Sequence, residues 1–247
     1  MFVYFDLDDT LCGYWDASKA ALRQTFSELG PASVTAEEMV QHWAAAYREF
    51  APLVKSDEWY PQYLVSGRAT RVEHMRRVLD RMGIADPTLA DQLSDRYAEL
   101  RNSNLTLFPD ALTVLESVAA QAGLGLITNG PADIQRQEVE TLGIGSFFSH
   151  VFIEGEMGEG KPKLSVFKRA EEAANASAAD IWMVGNSFGH DIAPAIEAGW
   201  KTCWIRRTSD VPPSASSDAK PEERPAGAPE PTITVGSLTE FLDHLSG

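Results

Sequence analysis

The sequence is short of cysteine, of basic residues and of long apolar runs. Its 247 residues include two cysteines, Cys12 and Cys203, which lie far apart and so exclude a disulfide framework or a zinc–cysteine cluster. There are 21 Lys and Arg against 36 Asp and Glu, for a formal net charge of −15. A polyanion repels phosphate backbones and anionic lipid surfaces, so neither nucleic acid nor a membrane surface is expected as a partner. Local positive groups must therefore hold any anionic substrate.

The apolar residues are distributed as in a globular chain without a membrane anchor. They make up 44% of the sequence and charged residues 23%, which excludes a wholly disordered protein. No apolar stretch approaches the roughly 18 residues that a membrane span needs. Asp6, Asp8 and Asp9 interrupt the apolar run at residues 2–5, so this run does not resemble a signal peptide. We therefore expect a cytoplasmic protein.

Short apolar segments alternate with helical patterns over much of the chain. A short apolar segment that ends at a polar turn is typical of a strand buried on both faces of a parallel sheet. Pro131 and Gly143 are start and stop signals for one of the helices between them. This alternation predicts an α/β fold with a doubly wound parallel sheet. The predicted strands are residues 2–7, 124–128, 151–153, 181–184 and 202–205, and the predicted helices are residues 109–122, 131–142, 164–175 and 190–198.

Residues 14–104 break this alternation, because they contain helical patterns and no convincing strand. Thr35 followed by Glu38 is a capping-box pattern, which predicts a helix that runs to about residue 50. Apolar residues at helical spacing predict a second helix that ends at Gly83 and a third that begins after a Thr88 cap. The predicted division is an α/β core of residues 1–13 and 105–247 and an all-helical cap domain of residues 14–104.

The composition changes again at residues 207–231. Six of the chain's 14 prolines lie there, together with alanine, serine, glycine and glutamate. Such a segment cannot build a core, so we predict a mobile loop. Residues 232–235 and 237–245 then resemble a last strand and helix that return to the sheet.

Acidic side chains follow the first predicted strand, where Asp6, Asp8 and Asp9 come directly before Thr10. In open α/β sheets, ligands bind at the carboxyl ends of the strands. Because side chains alternate along an extended chain, Asp6 and Asp8 lie on the same side. Two carboxylates held close together repel, so this pair needs a cation, or one of the two must stay protonated.

Three later motifs lie at the same predicted edge of the sheet. The second strand ends at Thr128 and Asn129, which provide a hydroxyl and backbone N–H groups. Lys161 follows a glycine-rich run and provides an ammonium group, and Asn186 and Asp191 follow the fourth strand with an amide and a carboxylate. Each residue alone has an ordinary structural explanation, as a turn former, a surface charge or a helix cap. Their convergence on one edge predicts a single functional site.

These motifs, in this order, resemble the haloacid dehalogenase superfamily of hydrolases, and in particular its phosphatases with a helical cap inserted after the first strand. The resemblance runs through nearly the whole chain. It implies a Rossmann-like core, Mg²⁺ as the cofactor and a small phosphorylated metabolite as the substrate. The motifs that carry it are residues 6–11, 128–130, 160–162 with Phe167, and 185–187 continuing through 191–192 to 198–199.

The resemblance also implies catalytic roles. Asp6 would attack phosphorus and become an aspartyl-phosphate, and Asp8 would protonate the departing alcohol and then deprotonate the attacking water. Lys161 would neutralise developing charge and fix Asp6 in place. Two like charges about 4 Å apart cost roughly 4 kcal/mol at an effective dielectric near 20, and a phosphate dianion doubles this cost. The mechanism therefore requires both Mg²⁺ and Lys161.

Phosphate and metal ligands are implied in the same way. Thr128 and the backbone N–H groups of Leu7 and Asn129 would hold the phosphate oxygens. Most phosphatases of the family carry an aspartate where this chain has Asn186, whose amide oxygen is still a hard ligand but has no charge. The sequence does not decide whether Asn186 or Asp191 contacts the metal. The implied metal ligands are thus Asp6, the Asp8 carbonyl, and Asn186 or Asp191.

Other interpretations of the same motifs stay open. A 2-haloacid dehalogenase of the family uses the same aspartate nucleophile without a metal, but it lacks an acid two residues later, so Asp8 disfavours this reading. The motifs do not distinguish a phosphatase from a phosphomutase, which passes the phosphoryl group to a sugar instead of water. A receiver-like or other non-catalytic phosphate-binding protein shares the aspartates, threonine and lysine, although a receiver domain needs no insertion such as residues 14–104.

The cap should close over the site and select the leaving group. Its aromatic residues are more often packing residues than substrate contacts, and the same holds for a surface arginine. The candidate contacts are Tyr14, Trp15, Trp59, Tyr60, Tyr63 and Arg68.

Overall fold

A single parallel sheet forms the centre of the protein, whose computed structural model describes residues 1–215 and 221–246. Its strands are β1 (Phe2–Phe5), β2 (Gly123–Thr128), β3 (His150–Ile153), β4 (Ile181–Gly185), β5 (Lys201–Ile205) and β6 (Ile233–Val235). They lie in the order β3-β2-β1-β4-β5-β6, and each neighbouring pair is parallel. The doubly wound parallel sheet predicted from the sequence is confirmed.

Helices cover both faces of this sheet and form the region beside it. The first five, which precede β2, are α1 (Tyr14–Leu29), α2 (Ala36–Phe50), α3 (Tyr60–Val65), α4 (Gly67–Arg81) and α5 (Pro87–Asn104). The others are α6 (Ala111–Ala119), α7 (Ala132–Leu142), α8 (Glu154–Met157), α9 (Leu164–Ala174), α10 (Ala193–Glu197) and α11 (Leu238–Ser246). In the described part of the chain, no helix combines the length and the apolar character that a membrane crossing requires.

Strand β1 lies in the middle of the sheet and is buried on both faces. Val3 and Phe5 belong to one apolar cluster, and Tyr4 belongs to another on the opposite face together with Phe167 and Trp200. Burial of side chains of this size stabilises the fold by about 1.5–3 kcal/mol each. Because β1 is held from both sides, its carboxyl end is a rigid support for the residues that follow.

The region of α1–α5 has an apolar cluster of its own, whose buried members all lie between residues 21 and 100. The capping box at the start of α2 is confirmed, since Thr35 and Glu38 each accept a hydrogen bond from the other's backbone N–H. The predicted cap at Thr88 is wrong: the Asp86 side chain accepts from the Leu89 N–H, and the helix begins at Pro87. Asp86 is better placed because proline fits the first helical position that follows it. A separate apolar cluster is what we expect if these helices form a cap domain. The predicted boundaries of that domain, residues 14–104, remain a prediction.

The proline-rich segment packs against the core at several points. In its described parts, residues 207–215 and 221–231, there is neither helix nor strand. Arg207 pairs with Asp110 at 3.0 Å, and the Glu222 carboxylate accepts from the backbone N–H of Phe188 at 2.7 Å. The mobility predicted for residues 207–231 remains a prediction, and the part of it that falls on residues 216–220 lies outside the described residues.

Candidate active site

Asp6 directly follows β1, at the carboxyl edge of the sheet. Its backbone N–H donates to the Val184 carbonyl at 2.9 Å, which ties the residue to the end of β4. One carboxylate oxygen accepts from Lys161 Nζ at 2.7 Å and the other from Thr10 Oγ1 at 2.9 Å. Asp6 is 7% exposed, so little solvent screens these contacts. The side chain is therefore held in one orientation at the place predicted for the nucleophile.

Lys161 lies in the loop between α8 and α9, and all three of its ammonium donors are used. Nζ donates to Asp6 at 2.7 Å, to Asp191 at 2.6 Å and to the Ile127 carbonyl at 2.8 Å. Burial alone would lower the pKa of Lys161, but the Asp191 and Asp6 carboxylates outweigh it and raise the pKa. The lysine is therefore a fixed positive charge between two carboxylates.

Asp8 lies two residues beyond Asp6 and is half-buried. Gln135 Nε2 on α7 donates to it at 3.2 Å and to Glu138 at 2.9 Å. Burial raises the pKa of Asp8 well above its ordinary range, and the neighbouring carboxylates of Glu138, Asp6 and Asp9 raise it further. A carboxyl with a raised pKa retains a proton that it can donate, as a general acid requires.

Thr128 and Asn129 lie beside this group, at the end of β2. Thr128 Oγ1 donates to Gln135 Oε1 at 2.5 Å, so Gln135 joins the threonine to Asp8. The Asn129 amide brackets Lys161, accepting from its backbone N–H and donating to its carbonyl, both at 2.8 Å. Leu7, the other residue predicted to offer an N–H to phosphate, lies between Asp6 and Asp8 and is fully buried.

Asp191 has both carboxylate oxygens engaged. One accepts from Lys161 at 2.6 Å and the other from the Ser187 backbone N–H at 3.0 Å. Burial raises its pKa, and Lys161 opposes this shift. A Cβ added to Gly185 would lie 2.4 Å from the Asp191 carboxylate, so glycine is required for this close approach. Asp191 is thus bound to the lysine rather than left free.

Asn186 is oriented by a residue that the sequence patterns did not indicate. Its Nδ2 donates to Asp210 at 2.9 Å, and its Oδ1 accepts from Thr10 Oγ1 at 3.3 Å. Thr10 also donates to Asp6, so the amide oxygen lies on the Asp6 side of Asn186. Asp210 comes from the proline-rich segment, which has no periodicity that would show what it contacts.

The donor set fits a magnesium ion. In residues 1–215 and 221–246, no three Cys, His, Asp or Glu side chains are grouped as a preformed metal cage. Mg²⁺ is usually bound by one or two carboxylates and keeps several waters and substrate oxygens, so it does not need such a cage. The Asp6 carboxylate and the Asn186 amide oxygen are hard ligands that both accept from Thr10 Oγ1 and so lie close together, whereas the Asp191 oxygens are held by Lys161 and the Ser187 N–H. Asn186 is therefore the better placed of the two alternatives.

Burial also raises the pKa of other acids in this neighbourhood. The pKa of Asp9 rises to about 8, and the carboxylates of Asp210 and Asp6 contribute. Glu138 on α7 is fully buried and lies 3.1 Å from Arg101 of α5. A glutamate on the inward face of an amphipathic helix is a signal that the sequence could have supplied for Glu138. Gln135 lies three residues earlier on the same buried face of α7 and has the same signal, whereas Asp210 has none.

A cavity of about 510 Å³ opens above these residues and reaches helices α1, α2 and α4. Its volume is in the range of small-molecule sites. Of the candidate contacts in the cap, Tyr14, Trp15 and Tyr63 line it. Its further aromatic lining includes Trp43, Tyr47, Phe50 and Tyr97.

Three of the predicted cap contacts lie elsewhere. Arg68 lies in the first turn of α4, and it pairs with Asp91 at 2.7 Å and Asp95 at 2.8 Å on the exposed surface. Tyr60 donates to Glu154 at 2.8 Å, and Trp59 packs edge-on against Phe50. None of the three lines the described cavity.

Comparison with known proteins places the chain among hydrolases. The sequence profile of the family described as haloacid dehalogenase-like hydrolase matches residues 3–205. Pyrimidine 5'-nucleotidase YjjG of Escherichia coli is 27% identical over 242 residues, which are 97% of this chain and 95% of that protein. The N-acylneuraminate-9-phosphatase of Homo sapiens is 28% identical over 217 residues, covering 87% of this chain and 86% of its own.

Solved structures share the fold over their full length. Bacillus subtilis YfnB, described as a putative HAD-hydrolase bound to magnesium, superposes with a TM-score of 0.73 at 21% identity and covers 100% of this chain and 98% of its own. A 2-haloacid dehalogenase from Pseudomonas syringae has a TM-score of 0.63 at 28% identity, covering 99% and 97%. The first likeness concerns the fold alone. The second keeps a dehalogenase among the activities to be tested.

Proposed function

The chain belongs to the haloacid dehalogenase-like hydrolases, and from that membership we propose that it hydrolyses small phosphate monoesters with Mg²⁺ through an aspartyl-phosphate on Asp6. One observation carries the proposal. Lys161 binds Asp6 and Asp191 in the lining of the cavity, and a second acid, Asp8, lies two residues beyond Asp6. One similar protein is named a nucleotidase and another a phosphatase, which supports a phosphorylated substrate.

The chemistry divides into two displacements at phosphorus. In the first, an Asp6 oxygen forms a bond to phosphorus, the bond from phosphorus to the ester oxygen breaks, and Asp8 gives its proton to that oxygen. In the second, water attacks phosphorus, Asp8 takes the water proton, and the Asp6–phosphorus bond breaks to release inorganic phosphate. General acid–base help of this kind typically contributes about 10²–10⁴-fold to the rate.

Charge neutralisation makes the first displacement possible. A phosphate dianion about 4 Å from the Asp6 carboxylate is repelled by roughly 8 kcal/mol at an effective dielectric near 20. Lys161 lies 2.7 Å from Asp6 and offsets part of this repulsion. Mg²⁺, when bound by Asp6, the Asp8 carbonyl and Asn186, supplies two further positive charges. Thr128 and the N–H groups of Leu7 and Asn129 would hold the transferred phosphoryl oxygens.

The dehalogenase alternative is disfavoured by Asp8. Attack of Asp6 on the carbon of a 2-haloacid expels a halide, which needs no proton, so a second acid beside the nucleophile has no task there. The similarity to the Pseudomonas syringae 2-haloacid dehalogenase is the observation in favour of this alternative.

A panel of small phosphate monoesters, assayed for released inorganic phosphate, tests the proposal. We expect turnover with Mg²⁺, loss of turnover with EDTA, and a loss of at least about 10³-fold in Asp6→Asn. Asp16→Asn, an exposed acid on α1, is the matched control and should keep full activity. Halide release from a 2-haloacid without Mg²⁺ would overturn the proposal, and a phosphorylated isomer in place of free phosphate would indicate a phosphomutase.

A further inference from the structure

Arg71 of α4 is a positive charge in the cavity that forms no ion pair with any described residue. Its side chain lines the cavity, and its Nε is buried without a hydrogen-bond acceptor. Among the described residues, no carboxylate lies within ion-pair distance of its guanidinium. An unpaired, half-buried charge destabilises the fold, so its retention there calls for an explanation.

The other cations that line the cavity each contact a carboxylate. Lys161 binds Asp6 and Asp191, Lys55 binds Glu154, and Arg101 lies 3.1 Å from Glu138. The remaining arginines of α4 are also paired. Arg68 contacts Asp91 and Asp95, Arg76 and Arg77 contact Glu73, and Arg81 contacts Glu49. Within the described chain, Arg71 is thus the exception in a region where arginines have acidic partners.

The position of Arg71 is fixed close to the core. A Cβ added to Gly67 would lie 3.2 Å from an Arg71 terminal nitrogen, 2.9 Å from Ile134 and 3.2 Å from Pro131. Pro131 ends the loop that follows Thr128, the predicted phosphate ligand at the end of β2. Arg71 therefore lies where the cap meets the phosphate end of the cavity, within reach of a group on the same small substrate.

The charge beside Arg71 favours the binding of a group with a single negative charge. Glu138 forms an ion pair with Arg101, whereas Arg71 feels the charges of Asp133 and Asp95 without an ion pair among the described residues. A carboxylate matches this charge and the planar fork of a guanidinium, whereas a second phosphate dianion would leave an excess negative charge. Burial and nearby Arg101 lower the pKa of Arg71, and the negative charge of a bound carboxylate would oppose this shift.

We infer that Arg71 binds a carboxylate on the leaving group of the substrate, so that the preferred substrates are phosphate monoesters of carboxylated alcohols or phenols. This inference rests on the proposed phosphatase function for the identity of the other end of the substrate. Arg71 binds the part that does not react, and it contributes to selectivity rather than to the chemical step.

Two isosteric esters test the inference: para-carboxyphenyl phosphate and para-carbamoylphenyl phosphate. They differ in one negative charge, and the aromatic lining accommodates the ring of both. We expect the wild-type protein to have a KM about 10–100-fold lower for the carboxylate, since a charge-assisted pair has this strength. Arg71→Gln should raise the KM of the carboxylate about 10–100-fold and change the KM of the amide much less, so that the difference between the two esters disappears. Arg71→Lys should restore part of the difference, because it keeps the charge without the fork.

Arg76→Gln is the matched control, since Arg76 lies on the same helix, is exposed and contacts Glu73 and Asp80. It should leave the ratio of the two KM values unchanged. The thermal midpoint gives a second readout, because removal of an unpaired charge should leave the midpoint of Arg71→Gln unchanged or higher. A lower midpoint, with the KM ratio unchanged, would show a structural role for Arg71 and overturn the inference.

Calorimetric binding of both esters to Asp6→Asn separates this inference from the proposed function. If the carboxylate binds more tightly only when Arg71 is present, the inference stands even if the wild-type protein hydrolyses neither ester. If the wild-type protein hydrolyses both esters with equal KM, the phosphatase proposal stands and the Arg71 inference fails. Equal binding of the two esters to Asp6→Asn would also overturn the inference.

Discussion

At the scale of single residues, one ammonium group organises the candidate site. Lys161 is 4% exposed, and its nitrogen contacts two carboxylates and a carbonyl. Removing one partner of a buried ion pair leaves an uncompensated charge, which costs far more than the pair contributes. The same lysine is therefore needed both for the proposed chemistry and for the local fold.

Lys161→Met should destabilise the protein as well as abolish phosphate release. Asp6 and Asp191 would face each other without a cation, and we expect the free energy of unfolding to fall by about 3–5 kcal/mol. Urea unfolding of the metal-free protein measures this loss, with Lys163→Met, an exposed neighbour, as the control. Equal unfolding midpoints for Lys161→Met and the wild type would show that the lysine does not balance the two acids.

Asn186 and Asp210 form a hydrogen-bonded pair, and its amide donor and carboxylate acceptor can be interchanged by mutation. Asn186→Asp places a carboxylate against Asp210, 2.9 Å from the present donor, and should lower the free energy of unfolding by about 1–3 kcal/mol. The double variant Asn186→Asp with Asp210→Asn should recover most of the loss, because the amide at position 210 then donates to position 186. Thermal unfolding without metal measures the stability of the single and double variants. If the loss in the double variant equals the sum of the losses in the two single variants, the two residues do not form a pair.

At the scale of elements, helices α2 and α4 enclose a buried histidine. His74 Nε2 lies 3.0 Å from the Trp43 carbonyl, and its ring packs against the Trp43 and Tyr47 rings. The pKa of His74 is lowered to about 4, mainly by burial and also by Arg77, against the opposing effects of the Trp43 carbonyl and Glu73. The folded protein therefore holds this imidazole neutral.

This shift predicts a loss of stability in acid. The folded-state pKa lies below the unfolded value of about 6.5, so the unfolded chain binds the proton first and stability falls between about pH 6.5 and pH 4. The expected contribution is roughly 3 kcal/mol. Urea midpoints of the wild type and of His74→Gln are measured across this range of pH. The difference between the two midpoints at each pH reports the contribution of His74, because the other titrating groups are common to both proteins. Parallel curves for the two proteins would refute it.

The elements were largely predictable, and their exact ends were not. All six strands are short apolar segments, since both faces of a parallel sheet are buried and leave a strong pattern. The cap of α5 was assigned to Thr88 instead of Asp86, because both residue types cap helices and the sequence does not show which one has the required backbone geometry. The helix predicted over residues 190–198 consists of a π-helical turn at Phe188–Ile192 followed by α10.

At the scale of the whole molecule, the sheet edge could be predicted and the cavity could not. Asp6, Thr128, Lys161 and Asp191 come together because each follows a strand of one parallel sheet or lies in a loop beside it. Contacts that join distant segments, such as Asp210 with Asn186 or Arg71 with the core, depend on how the cap and the proline-rich segment pack. No periodicity or spacing records that packing.

The charge of the whole chain and the charge of the cavity lining have opposite signs of effect on an anionic substrate. A chain with a net charge of −15 repels phosphate esters at a distance, yet Lys161, Arg71 and Arg101 face the cavity. Salt screens the distant repulsion and affects a partly buried cation much less. The cavity can therefore attract an anion that the rest of the surface repels.

The most direct measurement of the central proposal is the covalent state of Asp6 during turnover. The protein is mixed with Mg²⁺ and a hydrolysed phosphate ester, quenched in acid within the first turnover, digested and examined by mass spectrometry. We expect one phosphoryl group on the peptide that contains Asp6, and none in Asp6→Asn or without Mg²⁺. An unmodified Asp6 peptide during rapid turnover, or a phosphoryl group on another residue, would contradict the proposed mechanism.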